Sequence, residues 1–177
     1  TLAGRPSLAG LLQEVHEIPE LWRLRFLTSH PHDMTAELIA AVAALPKACP
    51  EISLPVQAGH DGLLRRMGRH YTVDDYRRLV GQIRAAVPGV ALATDVIAGF
   101  PGESEEEYGG TRRLLEEERF DVVHIAAYSP RPGTAAARLP DDIPPAVKEQ
   151  RRQELEALQE GIAGALNAAC LGQALQV

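Results

Sequence analysis

The segment that decides the fold runs from Ala91 to Glu107 and reads Ala-Leu-Ala-Thr-Asp-Val-Ile-Ala-Gly-Phe-Pro-Gly-Glu-Ser-Glu-Glu-Glu. Its first part is apolar almost throughout, which is typical of a strand covered on both faces in a parallel sheet. Gly99–Gly102 then predicts a turn, and Ser104 with Glu107 has the spacing of a helix capping box. The segment therefore predicts a strand, a loop and a helix start, with the loop at the strand end where α/β folds bind ligands.

One acidic residue, Asp95, interrupts this apolar strand. An ionised carboxylate inside a sheet loses its hydration unless hydrogen-bond donors or a cation replace the water. We therefore expect Asp95 to bond either to neighbouring protein groups or to a ligand.

Similar strand patterns recur along the chain and alternate with helical patterns. Further strands are predicted at 22–28, 51–56 and 121–128, and 174–177 is typical of the start of another strand. Helices are predicted at 8–18, 35–45, 72–87, from 104 through 115, and at 144–169. Prolines make 130–145 an extended crossing segment. Four βα units predict an α/β fold, either an open doubly wound sheet or the later part of a larger (βα) barrel.

Composition narrows the function classes. The chain has 177 residues, 45% of them hydrophobic, and a formal net charge of −6, which is ordinary for one globular domain. That charge gives no long-range attraction to nucleic acid or anionic membranes, although a local basic patch could still bind them. Cys49 and Cys170 are far apart, which argues against a disulfide framework and against a cysteine metal site made by this chain alone. No apolar run is long enough for a membrane span and no signal peptide is evident, so we expect a cytoplasmic protein without a membrane partner.

Three groups of segments carry a resemblance to a known family. They are Arg25–Pro31, then Leu54–Gly59 through Tyr71 and Thr72, then Thr94–Glu103 with Tyr128–Thr134. Together they resemble the MiaB-type methylthiotransferases of the radical S-adenosylmethionine superfamily, and the Thr-Ser-His-Pro form of the first is similar to the tRNA branch. The resemblance implies a partial radical-SAM-type barrel with about four parallel strands, flanking helices and a C-terminal exit helix. It also implies an enzyme that adds a methylthio group to isopentenylated adenosine beside the tRNA anticodon, using S-adenosylmethionine and 4Fe-4S clusters.

The chain departs from that family in what it lacks. The family's Cys-x-x-x-Cys-x-x-Cys cluster motif is absent from the sequence, so the cluster ligands are not in this chain. We therefore interpret 1–143 as part of a radical SAM domain, and 144–177 as the C-terminal helix and the start of a linker to a missing TRAM domain. We expect such a fragment to be inactive by itself, with tRNA bound through the intact protein.

Three polar residues are the first candidates for binding S-adenosylmethionine. The resemblance implies that Gln57 meets the ribose or methionine part of the cofactor, that Arg69 meets its carboxylate, and that Asp95 accepts from the ribose hydroxyls. The residue types suit these roles, because an amide donates and accepts and a guanidinium fork matches a carboxylate. A loop-bonded glutamine and a structural aspartate are the alternative interpretations. His70 replaces a glycine that is usual in the family.

The resemblance also implies roles for residues at other strand ends. Gly99 would allow close approach of the backbone to the adenine, Tyr128 and Ser129 would hold adenine through backbone groups, and His30 would face the substrate. A turn glycine, a core tyrosine and a merely hydrogen-bonded histidine are the alternatives. Arg65 and Arg66 are interpreted as solvated helix charges, Glu103 as a helix-start acid, and no role is predicted for His60, His124 or Arg131.

Two other function classes compete with the enzyme fragment. The chain could be a noncatalytic S-adenosylmethionine-binding α/β module that lacks the cluster cysteines. It could also be an open nucleotide-binding sheet, but the sequence has neither Gly-x-Gly-x-x-Gly nor a Walker-type Gly-Lys-Ser/Thr segment.

Overall fold

A parallel sheet organises the computed structural model, which describes residues 7–27 and 30–173. Within those residues the sheet has three strands in the order β1 (Glu51–Ser53), β2 (Ala91–Ala98) and β3 (Val122–Ala127). Ile52 lies opposite Leu92, and Asp95 lies opposite His124. The predicted α/β class with parallel strands is confirmed.

The central strand β2 is not covered on both faces, contrary to the sequence prediction. Its burial alternates: Leu92, Thr94, Val96 and Ala98 are buried, whereas the residues between them are only half-buried. The buried face packs into a core that includes Tyr76. The other face, with Asp95 and Ile97, borders an open cleft instead of a second helical layer.

The first predicted strand, 22–28, is reduced to a single parallel bridge between Leu24 and Ala48. The Leu24 amide donates to the Lys47 carbonyl at 2.7 Å, and the Leu24 carbonyl accepts from the Cys49 amide at 2.8 Å. The pairing ends there because the Glu51 amide, which would be the next donor, bonds instead to the Cys49 carbonyl at 2.8 Å. Position 28, like the predicted strand start at 174–177, lies outside the described residues.

The five predicted helices are formed, and a short helix at Asp61–Arg66 is an addition that was not predicted. Their bounds are α1 Leu8–His16, α2 Ala36–Ala44, α3 Asp61–Arg66, α4 Val73–Ala86, α5 Glu105–Glu118 and α6 Pro145–Ala168. The predicted capping box at Ser104 with Glu107 is confirmed, and a second capping box forms at Thr72 with Asp75. Short 3-10 turns occur at Pro31–Asp33 and, inside the predicted extended segment, at Ala136–Arg138. No helix in 7–27 or 30–173 is long and apolar enough to cross a membrane.

Helix α6 packs directly on β3 and also contacts α5 and β2. Its Leu155 joins the main hydrophobic core, and its Gln159 side chain donates to the Phe120 carbonyl at 2.9 Å. The predicted boundary between 143 and 144 stays a prediction. What the structure adds is that this helix is anchored to the sheet that carries the cleft.

Candidate ligand-binding cleft

A cleft of about 530 Å³ lies on the open face of the sheet, beside the C-terminal parts of β2 and β3. The loops after β1, α3 and β3 complete its walls. It is lined by Gln57, Arg69, Asp95, Val96, Ile97, His124, Ile125, Ala126, Ala127, Tyr128, Ser129, Arg131 and Thr134. Predicted site residues from four separate parts of the chain therefore meet in one place.

Gln57 occupies an unusual backbone conformation at the edge of this cleft. After β1 the Val56 amide donates to the Thr94 hydroxyl at 3.0 Å, and backbone pairing with β2 resumes where the Gln57 amide donates to the Asp95 carbonyl at 2.8 Å. The φ of Gln57 is +74°, a left-handed conformation that costs a non-glycine residue about 1–2 kcal/mol. Its side chain makes no hydrogen bond to the described residues, so the amide group is available to a ligand. Such strain at a cleft is typical of a functional position.

Asp95 and His124 face the cleft side by side. They are register partners on neighbouring parallel strands, and both belong to the open face of the sheet. Within the described residues, neither side chain forms a hydrogen bond or ion pair. The alternative of an aspartate bonded to neighbouring protein thus has no support in the described contacts, and the Asp95 carboxylate is placed to accept from a ligand hydroxyl.

Arg69 enters the cleft from the connection between α3 and α4. Its amide donates to the Leu64 carbonyl at 2.9 Å, and the same connection is fixed by Asp61, whose carboxylate accepts from the Val73 amide at 2.8 Å. The Arg69 side chain is half-buried and pairs with no acid among 7–27 and 30–173. A held backbone and a free guanidinium together suit the binding of a carboxylate.

Gly99 has a structural explanation in this fold. It is buried with φ +73°, and its amide donates to the Glu103 carboxylate at 2.7 Å. A Cβ added there would lie 2.4 Å from Cγ of Lys148 on α6. Gly99 does not line the cleft, so its predicted contact with a cofactor remains a prediction.

Tyr128 and Ser129 lie at the end of β3 and do line the cleft. The Tyr128 amide is already bonded to the Ala98 carbonyl at 2.8 Å, and its hydroxyl donates to the Ala136 carbonyl at 3.1 Å. The ring packs edge-on against Phe100 with centroids 5.1 Å apart. Tyr128 thus fixes the loop after β3, while Ser129 is exposed towards the cleft.

His30 is not brought together with these residues. It lines a separate groove of about 580 Å³ with Tyr71, and the two rings meet edge to face with centroids 5.5 Å apart. Its Nδ1 accepts from the His32 amide at 3.1 Å. The neighbouring Thr28 and Ser29 of the sequence motif lie outside the described residues. The role of His30 towards a substrate stays a prediction.

Glu103 does more than mark a helix start. Its side chain is 1% exposed and pairs with the Arg151 guanidinium of α6, with Nη1 and Oε2 2.7 Å apart. Burial raises the pKa of the Glu103 carboxyl, although the Gly99 amide and Arg151 both oppose the rise. This pair connects the loop after β2 to α6.

Arg66 is exposed, as interpreted from the sequence, but it is not an unpaired helix charge. Its guanidinium forks onto the Glu107 carboxylate, with bonds of 2.8 and 2.6 Å, and also donates to the Gly102 carbonyl at 3.1 Å. The hydrogen bond from Arg66 lowers the pKa of Glu107 to about 2. Arg66 therefore fixes the loop between β2 and α5.

Three polar residues that line the cleft were not predicted as site residues: His124, Arg131 and Thr134. The alternation of side chains along β3 could have indicated His124, because a residue paired with Asp95 on a neighbouring strand lies on the same face of the sheet as Asp95. Arg131 and Thr134 belong to the loop after β3, whose path the sequence does not specify.

The described residues contain no group of three or more His, Cys, Asp or Glu side chains that could hold a metal ion. Cys49 is half-buried and Cys170 exposed, both as free thiols. They cannot supply the thiolates of a 4Fe-4S cluster, which agrees with the absence of a cluster motif from the sequence.

Comparison with known proteins adds independent information. A family model described as the Radical SAM superfamily matches 3–115. The chain is 58% identical to a tRNA-2-methylthio-N(6)-dimethylallyladenosine synthase of Roseiflexus sp. (strain RS-1), over 99% of this chain and 38% of that protein. Synthases of the same name from Chloroflexus aurantiacus and Herpetosiphon aurantiacus are 54% and 52% identical, again over 99% of this chain, and over 39% and 41% of their own lengths. The chain thus spans about 40% of the curated relatives it matches.

A solved structure supports the fold. Coproporphyrinogen III oxidase of Escherichia coli, described as a radical SAM enzyme, superposes with a TM-score of 0.62 over 75% of this chain and 31% of that chain. The sequence identity is 21%, so this similarity concerns the fold alone.

Proposed function

The chain belongs to the Radical SAM superfamily, and on that premise we propose that it is part of a tRNA methylthiotransferase. The intact protein would add a methylthio group to isopentenylated adenosine beside the anticodon, with S-adenosylmethionine and 4Fe-4S clusters as cofactors. The observation that carries the proposal is the 58% identity to a synthase of this name over 99% of the chain. We propose a cytoplasmic location because the substrate would be tRNA.

The cleft fits S-adenosylmethionine. Arg69 would bind the carboxylate of the methionine moiety, Asp95 would accept from the ribose hydroxyls, and Gln57 can donate and accept beside them. All three polar groups are free of bonds to the described residues, so binding would not require breaking an internal contact. The cluster thiolates, in contrast, would have to come from another part of the intact protein.

In this proposal the radical chemistry belongs to the cofactor and the cluster, whereas the protein supplies position. Asp95, Arg69 and Gln57 would hold the two ends of S-adenosylmethionine at fixed distances across the sheet. The apolar floor at Ile97 and Ala126 would exclude water beneath it. The target adenine would have to leave its stack to reach the cleft, as base-modifying enzymes require.

The test uses the full-length protein, purified without oxygen and with its clusters reconstituted. It is incubated with S-adenosylmethionine, a reductant and tRNA that carries isopentenylated adenosine, and the nucleosides are analysed by mass spectrometry. The proposal expects the methylthio nucleoside to form only in the complete mixture. Binding of S-adenosylmethionine without any product would instead support the noncatalytic binding module.

A further inference from the structure

We propose that Arg131 binds a backbone phosphate of the RNA beside the modified adenosine, an inference that rests on the proposed function. Arg131 lies in the loop that follows β3 and lines the cleft. Its side chain is exposed and forms no ion pair or hydrogen bond with residues 7–27 or 30–173. The guanidinium is therefore available to an anion that approaches from solvent.

The loop holds Arg131 in a defined position. Pro130 and Pro132 flank it and restrict the backbone on both sides. The Arg131 carbonyl accepts from the Thr134 hydroxyl at 2.8 Å and from the Thr134 amide at 3.2 Å. The Tyr128 hydroxyl then ties the far side of the loop back to the strand end through Ala136. A side chain on such a loop loses little backbone entropy when it binds a ligand.

The cleft has one more arginine than the carboxylate of S-adenosylmethionine requires. Its lining residues carry two arginines, Arg69 and Arg131, against one carboxylate, Asp95. This local excess of positive charge occurs in a chain whose formal net charge is −6. S-adenosylmethionine carries one carboxylate, and one guanidinium is enough for it. The second arginine thus matches a second anion, and the substrate proposed above is a polyanion.

Arg69 and Arg131 differ in burial, and this difference indicates which of them binds the cofactor and which binds the RNA. Arg69 is half-buried beside Gln57, so it suits a small ligand held inside the cleft. Arg131 is exposed at the rim, where a macromolecule that stays mostly outside the cleft can reach it. An RNA strand with one base inserted into the cleft would pass its phosphates along this rim.

The experiment compares Arg131→Ala with Arg138→Ala in the full-length protein with its clusters. Arg138 is an exposed arginine on the following 3-10 turn that does not line the cleft, so it controls for the same loss of charge. Binding of a stem-loop RNA that carries isopentenylated adenosine is measured by fluorescence anisotropy at several salt concentrations. Binding of S-adenosylmethionine is measured by calorimetry on the same preparations.

Arg131→Ala should weaken RNA binding about tenfold and reduce the slope of log K against log salt by about 0.7, the value for one single-strand phosphate contact. In turnover assays it should raise KM for the RNA with little change in kcat. S-adenosylmethionine affinity should stay unchanged, and Arg131→Lys should recover part of the RNA affinity. Arg138→Ala should leave all of these quantities at the wild-type values.

Two results would overturn the inference. The first is that Arg131→Ala and Arg138→Ala have the same RNA affinity and the same salt slope. The second is that Arg131→Ala loses S-adenosylmethionine binding, which would assign Arg131 to the cofactor. If the wild-type protein itself neither binds nor modifies this RNA, the proposed function fails and the phosphate site fails with it. Measuring the wild-type protein therefore distinguishes a failure of the proposed function from a failure of the Arg131 inference alone.

Discussion

Replacing Arg151 by Met is expected to destabilise the protein strongly. The Arg151 guanidinium is 6% exposed and pairs with Glu103, which is 1% exposed. It also donates to the Glu103 carbonyl at 3.1 Å, contacts Glu105, and lies over the Tyr108 ring at 5.2 Å from the centroid. Methionine keeps the apolar stem but leaves the Glu103 carboxylate buried without its cation.

The expected magnitude follows from that burial. Removing one partner of a buried ion pair costs about 3–5 kcal/mol, because the remaining charge has no compensation. For a protein of this size, about 2–4 °C of melting temperature correspond to 1 kcal/mol, so the melting temperature should fall by about 6–20 °C. The matched control is Arg152→Met on the next position of α6. Arg152 pairs with Glu149 and Glu156 at the surface, and its loss should cost less than about 1 kcal/mol.

The pH dependence gives a second readout of the same variant. Burial already raises the pKa of Glu103, and loss of Arg151 removes an interaction that opposes the rise. The folded state of the variant should then hold this proton more tightly than the unfolded chain does. Its stability should therefore rise as the pH falls from 7 towards the ordinary pKa of 4.5.

Thermal melts followed by circular dichroism at several pH values would measure both effects. The double variant Arg151→Met with Glu103→Gln should regain most of the loss at pH 7, since it removes both charges. Equal melting temperatures for Arg151→Met and Arg152→Met would refute the reasoning. So would a double variant no more stable than the single one.

Two further predictions concern the loops around the cleft. In a denaturant titration, Gly99→Ala should lower the free energy of unfolding by at least about 1–2 kcal/mol. The positive φ of Gly99 alone accounts for that cost, and the new Cβ would also collide with Lys148. The control Gly161→Ala, in open space within α6, should be neutral or stabilising. Glu107→Gln should be less stable than wild type at pH 7. Arg66 holds the pKa of Glu107 at about 2 in the folded state, against its usual 4.5. The stability contributed by this ion pair is therefore present above pH 4.5 and is lost as the pH falls towards 2. Acid titrations should show the stabilities of wild type and Glu107→Gln converging over this range.

Local patterns carried most of the fold information. The capping residues and apolar periodicity predicted the helix starts, and the segment 91–107 predicted the strand, turn and helix that it forms. The strand predicted at 22–28 is only a bridge because pairing depends on the neighbouring segment: the Glu51 amide bonds to the Cys49 carbonyl, so the ladder ends after Leu24 whatever the propensity of 22–28. The open face of β2 was missed because small apolar residues suit either a helix-covered face or a concave surface.

The candidate site was predictable only in part. Gln57, Arg69, Asp95, Tyr128 and Ser129 do meet in one cleft, which the resemblance implied and no local pattern required. The half-exposed pair of Arg66 with Glu107 and the buried pair of Arg151 with Glu103 join residues more than 40 positions apart. Sequence spacing gives no signal for such pairs, so both acids looked like ordinary helix-start charges.

The proposed function depends most directly on Asp95, which would hold S-adenosylmethionine in this cleft. The most direct test is calorimetric titration of S-adenosylmethionine into the full-length wild-type protein, the Asp95→Ala variant, and an Asp74→Ala control at an exposed position of α4. Loss of a charge-assisted hydrogen bond to the ribose should weaken binding about tenfold or more in Asp95→Ala, with the control unchanged. Equal affinity in all three proteins would contradict the account.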